Sequence, residues 1–230
     1  MFIRKIFGVI LLLTILTLPQ NVSATKTDWF DRNYNFHGIR TVIVFDMTVS
    51  PGMDYGGSIV MRNLQDTYIQ NARKLKCNVI TEMQACRTLS SQLGMNLESM
   101  NPAQARQIVM ENAYRIADAW VVANIDNIAN NYYVEPARTV WESRTERRHY
   151  YDRYGNRREE TYTIQVPVTY PPRRVDISTL EMTLQMYEAK RGDMIFARRD
   201  VRDREDYQAQ IGMYGRITNS FFEDAGNKIR

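Results

Sequence analysis

The chain has 230 residues, a formal net charge of +4, two cysteines and two histidines. That length can bury a real core, while His37 and His149 alone leave almost no material for a histidine general base or a zinc site. The charge is local: setting Arg4 and Lys5 aside takes +4 to +2, and residues 138–176 hold nine Arg against six acids, which leaves the remainder near −1.

Residues 1–24 have the layout of a secretory signal. Arg4 and Lys5 precede the apolar run Ile6–Leu18, which is followed by Pro19 and the small residues of Val22-Ser23-Ala24, so cleavage is expected after Ala24. The run is short for a bilayer core of ~30 Å, which needs roughly 20 residues as a helix, and cleavage is therefore favoured over anchoring. Lipid attachment needs a Cys at the cleavage site, whereas the cysteines are Cys77 and Cys86. The expected product is an exported chain, periplasmic or at the cell surface, with no membrane span after cleavage and with residues 25–230 as a single α/β domain.

Thr25–His37 mixes Trp29, Phe30, Tyr34 and Phe36 with polar residues and is expected to be irregular or a short strand pinned by its aromatics. Arg40–Met47 is a nearly continuous β-branched run, the mark of a strand buried on both faces. Pro and Gly make Ser50–Ser58 a loop, after which Val60, Leu64, Tyr68, Ala72 and Leu75 form one apolar helical stripe. A short strand at Cys77–Thr81 and a helix at Glu82–Leu93, ended by Gly94, come next. Asn101-Pro102 starts a third helix, a capping side chain followed by a Pro whose lacking N–H costs nothing in the first turn; Ile108, Val109, Ala113, Ile116 and Ala117 give its buried face. Ala119–Asp126 is an apolar strand. Ser178–Tyr187 alternates Leu180, Met182, Leu184 and Met186 with polar residues, and turns at Lys190–Asp193 into Met194–Val201 as a hairpin. A last helix over about 214–229 presents Ile217, Phe221, Phe222 and Ala225 inward. The sum is a mixed sheet, parallel in its first part with an antiparallel edge hairpin, packed by helices.

Some fifty residues between Asp126 and Ser178 are too many for a plain connection. Two strands flanking Asp152-Arg153-Tyr154-Gly155-Asn156, a turn signal, make them a long β-hairpin arm over about 134–175. With Tyr154-Gly155 as the central pair, Trp141 faces Val168, Ser143 faces Val166, Thr145 faces Ile164, Arg147 faces Tyr162 and His149 faces Glu160. Half of the fourteen tyrosines lie between Tyr132 and Tyr170, and Tyr with Arg is the mixture contact surfaces favour. The alternative is a solvated ribbon without a partner, its edges blunted by charges of alternating sign. If the arm is a contact surface, its binding residues are expected to be Trp141, Arg147, Arg148, Tyr150, Tyr151, Arg153, Tyr154, Arg157 and Tyr162. A membrane-spanning hairpin is disfavoured, since neither strand has the ~10 residues of lipid-facing alternation a barrel strand needs.

No sequence for a nucleophile elbow, a zinc protease or a phosphate loop occurs, and no cofactor, metal or catalytic residue is assigned. Asp46 and Asp126, at the ends of the first and third strands, are a candidate carboxylate pair near Gly52, with turn or capping roles as the commoner alternative. Cys77 and Cys86, separated by eight residues, are either one disulfide or two buried thiols. Arg198, Arg199, Arg202 and Arg204, interleaved with Asp200, Asp203, Glu205 and Asp206, form a run expected to be salt-bridged and solvated. Nucleic acid is a poor partner for so balanced a body.

IRTVIVFDM, ADAWVVANID and LEMTLQMYEAKRGDMIFARRDV, in this order, resemble a broad group of bacterial envelope domains that includes the curli secretion component family and the N-terminal domain of Tol translocation protein B. Ala117–Val122 and Tyr187–Ile195 carry the likeness, with Glu188 where the group has Asp; the group's lipid-bearing Cys has no counterpart. The resemblance implies a non-enzymatic assembly or scaffolding role in the envelope, with another envelope protein or cell-wall component as partner. Two alternatives stand beside it: a hydrolase of a cell-wall or surface polymer, and a ring-forming homo-oligomer.

Overall fold

The β-branched run beginning at Thr41 forms an interior strand of a seven-stranded sheet, paired on both sides and one strand in from an edge. The computed structural model describes residues 24–53, 58–205 and 209–230; the expected signal, apart from Ala24, lies outside them. The chain forms two compact units, a body of residues up to Asn130 and from Ile177 onward, and an arm, Asn131–Asp176.

Seven strands make the large sheet: β1 (Ala24–Phe30), β2 (Thr41–Val44), β3 (Thr48–Val49), β4 (Asn78–Thr81), β5 (Ala119–Glu135), β8 (Arg173–Glu188) and β9 (Met194–Arg204). Their order is β1-β9-β8-β5-β2-β4, with the two-residue β3 also on β5. β2 is parallel to both β4 and β5, while β9 is antiparallel to β8 and β1. The sheet is thus mixed, as its sequence pattern predicts.

Alternation along β2 explains why its residues are apolar without a break. Val42 and Val44 enter one core cluster and Ile43 and Phe45 the other, and all four are fully buried. The first cluster is completed by α1 (Ser58–Ala72), through Leu64, Tyr68 and Ala72, and by α4 (Ala209–Ile229), through Ile217, Phe221, Phe222 and Ala225. The second is completed by α2 (Glu82–Leu93) and α3 (Pro102–Asn112), through Ala85, Leu89, Ala105 and Val109. Each such large apolar side chain contributes roughly 1.5–3 kcal/mol by leaving water. Local signals set the helix ends: Thr81 and Gln84 form a reciprocal capping box, Gly94 closes α2 at φ 65°, and Asn101 Oδ1 accepts the Ala103 N–H at 2.9 Å.

The structure corrects some expectations and decides between the alternatives that others left open. Thr25–Phe30 lies within strand β1, the short strand that is one of the two alternatives for this segment, and Phe36 in the core with Tyr34 against it pins the segment, while Trp29 is 48% exposed; the sheet's edge is β1 and not the β8–β9 hairpin. β5 continues nine residues past Asp126 to Glu135, and α4 begins at Ala209, five residues before Tyr214. Of the two alternatives for Cys77 and Cys86, the structure has free thiols, Cys86 buried and Cys77 partly so; burial pushes Cys77 up to about 11.

A further correction concerns the charged run. Along β9, Phe196, Arg198, Asp200 and Arg202 pair with Met186, Leu184, Met182 and Leu180, which places them on the side of the apolar cluster. Arg198 and Asp200 are therefore buried, 1% and 0% exposed, and not solvated. Arg198 donates to both oxygens of Asp28 on β1 (2.6 and 2.8 Å) and to Asp224 (2.6 Å) and Ser220 (3.1 Å) on α4. Arg202 holds Asp200 with two bonds of 2.9 and 2.8 Å. Burial alone would raise the pKa of Asp28, but the hydrogen bond and charge of Arg198, aided by Lys26, outweigh it and leave the carboxyl lowered. Asp206 lies outside the described residues.

Candidate interaction surface

Pro136-Ala137 and Pro171-Pro172 interrupt the chain between long strands, where a proline removes a ladder donor. Between these breaks β6 (Arg138–Tyr151) and β7 (Arg157–Tyr170) pair antiparallel as a two-stranded sheet of their own. At ~3.3 Å per residue, fourteen residues give a ribbon of roughly 45 Å. Below it Glu135 joins the arm's segments, bonding Arg173 at 2.7 Å and Arg138 at 3.3 Å; the Arg173 hydrogen bond lowers its pKa. The Arg174 guanidinium stacks 4.0 Å from the Tyr132 ring.

At the tip the Gly155 N–H donates to the Asp152 carbonyl and the Asp152 N–H to the Asn156 carbonyl, both at 2.9 Å, with Gly155 at φ 79°. The loop is thus three residues, Arg153-Tyr154-Gly155, a type I turn followed by a left-handed glycine. The Asp152 carboxylate organises it, accepting the N–H groups of Tyr154 and Asn156 at 2.9 Å and Arg158 Nε at 3.1 Å. These bonds, led by the one from Asn156, lower its pKa.

One more loop residue than the two-residue turn predicted from sequence moves every pair by one. Trp141 faces Pro167, Arg147 faces Thr161 and His149 faces Glu159, in place of Val168, Tyr162 and Glu160. One face carries Val140, Ile164, Val166, Val168, Tyr162 and Tyr170 among Glu142, Arg144, Glu146 and Arg148, with the Tyr162 hydroxyl on Glu146 at 3.2 Å and that of Tyr170 on Glu142. The other carries Trp141, 66% exposed, amid Thr139, Ser143, Thr145, Thr163, Gln165 and Thr169.

The nine residues proposed from sequence are accordingly divided. Trp141, Arg147, Tyr151 and Arg157 share one face, Arg148, Tyr150 and Tyr162 the other, and Arg153 and Tyr154 form the apex, where the guanidinium lies 4.9 Å from the ring. Trp141 stands ten residues from Tyr151 along β6, so the set is one tip cluster and one isolated aromatic. Sequence reasoning missed Arg158, whose role depends on a turn that Asp152 closes, and the Tyr132–Arg174 stack, which needs β5 and β8 to run side by side.

In the body, Asp46 and Asp126 have separate partners. Asp46 Oδ1 accepts from Gln65 at 2.7 Å, and its backbone N–H donates to Glu82 at 2.8 Å. Arg106, another residue sequence reading passed over, holds Glu82 by two bonds and donates to the Asp46 carbonyl at 2.9 Å. Burial and then Glu82 raise the pKa of Asp46 against the opposing charge of Arg106. Asp126 instead accepts from Asn124 and Thr183, each at 2.6 Å. Gly52 has φ 87°, and residues 54–57 of its loop lie outside the described residues. Among the described residues no group of His, Cys, Asp and Glu is placed to hold a metal ion. No described helix is long and apolar enough to cross a membrane.

The described body is therefore an α/β unit with helices on both faces of a mixed sheet. No known family and no curated protein matches the sequence, so the resemblance drawn above stays one of element order and short motifs. Solved structures similar to this chain include the PelC dodecamer from Paraburkholderia phytofirmans, 9% identical over 90% of this chain and 97% of that one, at a TM-score of 0.41. The lipoprotein GNA1162 from Neisseria meningitidis is 12% identical over 82% and 99%, at 0.39. A DUF4136 family protein from Bacteroides thetaiotaomicron is 9% identical over 91% and 94%, at 0.35.

Proposed function

We propose that this chain is a non-enzymatic, exported protein of a bacterial cell envelope, a binding or scaffolding module that holds another envelope component through its arm. The observation that carries this reading is the ribbon β6–β7: fourteen paired residues per strand with most side chains in solvent. Two isolated strands are marginal in water, and this ribbon buries too little to add to a core. Its exposed Tyr, Trp and Arg are the residue types that supply binding energy at interfaces. Trp141, Arg147, Arg148, Tyr150, Tyr151, Arg153, Tyr154, Arg157 and Tyr162 are the proposed contact residues.

The test replaces Thr139–Thr169 by Asn-Gly, joining Arg138 to its cross-strand partner Tyr170. Association of this shortened chain with isolated envelopes is compared with that of the intact chain. Loss of association with an unchanged body supports the reading, and undiminished association overturns it.

A further inference from the structure

Residues 147–158, RRHYYDRYGNRR, hold five arginines against one acid, and that acid, Asp152, is occupied by the turn and by Arg158. Arg147 meets Glu159 at 3.3 Å, while Arg148, Arg153 and Arg157 form no ion pair within 4.0 Å among the described residues. Tyr151 and Tyr154 are 74% and 73% exposed and Tyr150 is 42% exposed.

The register distributes these groups around the ribbon axis. Arg147, Tyr151 and Arg157 leave one face, Arg148, Tyr150 and Arg158 the opposite face, and Arg153 and Tyr154 the apex. A partner lying against one face would meet only one of these sets. A layer entered end-on would meet all of them together. No Leu, Ile, Val, Met, Phe or Trp occurs between 147 and 158, so the tip suits the depth of headgroups and not the hydrocarbon beneath. Tyrosine favours that depth, with its ring in the apolar margin and its hydroxyl in the wet one, and guanidinium groups bind phosphate oxygens in pairs.

From this geometry we infer that the arm's tip docks end-on into the headgroup layer of an anionic phospholipid membrane, as a peripheral contact. The inference rests on the arm being the contact surface and names the component it contacts.

The test is sedimentation of the chain from Thr25 onward with vesicles, so that the apolar N-terminal run contributes nothing. Vesicles of phosphatidylcholine alone are compared with vesicles containing about a third phosphatidylglycerol, at about 0.05 M and about 0.5 M salt. Binding is expected only to the anionic vesicles, and it falls with salt. Each arginine removed should weaken it about fivefold, so the combined Arg147→Gln, Arg148→Gln, Arg153→Gln and Arg157→Gln variant should lose on the order of 100-fold or more. The same four changed to Lys should keep most of the binding, because a headgroup layer responds to charge. Arg158 is left in place because it holds the turn. In a Tyr154→Trp variant, brominated anionic lipid should quench the added emission.

No binding to anionic vesicles overturns the proposal, as does equal binding by the four-Gln variant. Binding to soluble polyglutamate with the vesicles left unbound also overturns it and assigns the tip to an acidic protein. Failure here, with envelope association still lost on removal of the arm, leaves the contact-surface reading standing; envelope association that survives removal of the arm defeats both.

Discussion

Arg198 is the residue whose surroundings depart furthest from its local sequence. Its guanidinium is buried, held by Asp28 and Asp224, and lies 5.7 and 5.8 Å from the Phe196 and Phe221 rings. Arg198→Met leaves Asp28 on β1 and Asp224 on α4 with Lys26 as their remaining cation, a loss of about 1–3 kcal/mol in denaturant unfolding at pH 7. Asp28 and Asp224 have lowered pKa values, so their contribution is present above the ordinary carboxylate range and lost as pH falls through the lowered folded values. The deficit of the variant relative to the native chain should therefore shrink below about pH 4. A deficit that grows on acidification would contradict the assignment. Asp46 runs the other way: its pKa is raised, so ionising it costs stability as pH rises. Asp46→Asn keeps an acceptor for Gln65, and its melting temperature should equal or exceed the native value at pH 7, with the advantage gone near pH 4. A lower melting temperature at pH 7 would show that the charge is needed.

At the scale of elements, α4 depends on one glycine. A Cβ on Gly226 would stand 2.1 Å from the Lys74 carbonyl oxygen and 3.0 Å from Leu75 Cα, all backbone atoms. Helix propensity favours Ala over Gly by about 1 kcal/mol, but forcing two backbones apart costs more, so Gly226→Ala should destabilise the body by about 1–3 kcal/mol in denaturant unfolding. Stabilisation would contradict the close approach. In the arm, counting rungs from the Asp152–Asn156 bond puts odd-numbered β6 residues in the non-hydrogen-bonded pairs, the closer kind. Cysteines at 145 and 163 should then bridge on oxidation, whereas 145 with 164 should not, as mass spectrometry under mild oxidant would show. The reverse outcome would restore the register of a two-residue turn.

These same elements show what local sequence carries. β2, the capped helices α2 and α3, and the alternation of β8 are legible because each is decided by neighbours within a few residues. The arm's register is not legible in sequence because DRYGN fits both a two- and a three-residue loop, and only the Asp152 hydrogen bonds choose between them. The burial of Arg198 and Asp200 is hidden from local sequence because α4 and β1, which set it, are distant from them along the chain. Asp46 found Glu82 and Arg106, not Asp126, for the same reason.

For the whole molecule, the division into a body with two apolar clusters and a separate arm separates buried from exposed side chains. The body holds the side chains whose burial stabilises the fold, while the arm holds the exposed Arg and Tyr proposed as contact groups. Removing Thr139–Thr169 should therefore leave the unfolding midpoint of the body within a few tenths of a kcal/mol of its native stability, the ordinary range for surface changes. Hydrogen exchange of the intact chain, free and bound to isolated envelopes, puts the contact itself to the test. Added protection is expected within Asn131–Asp176 and strongest around the Asp152–Asn156 turn. Protection gained on the body with the arm unchanged would contradict the account.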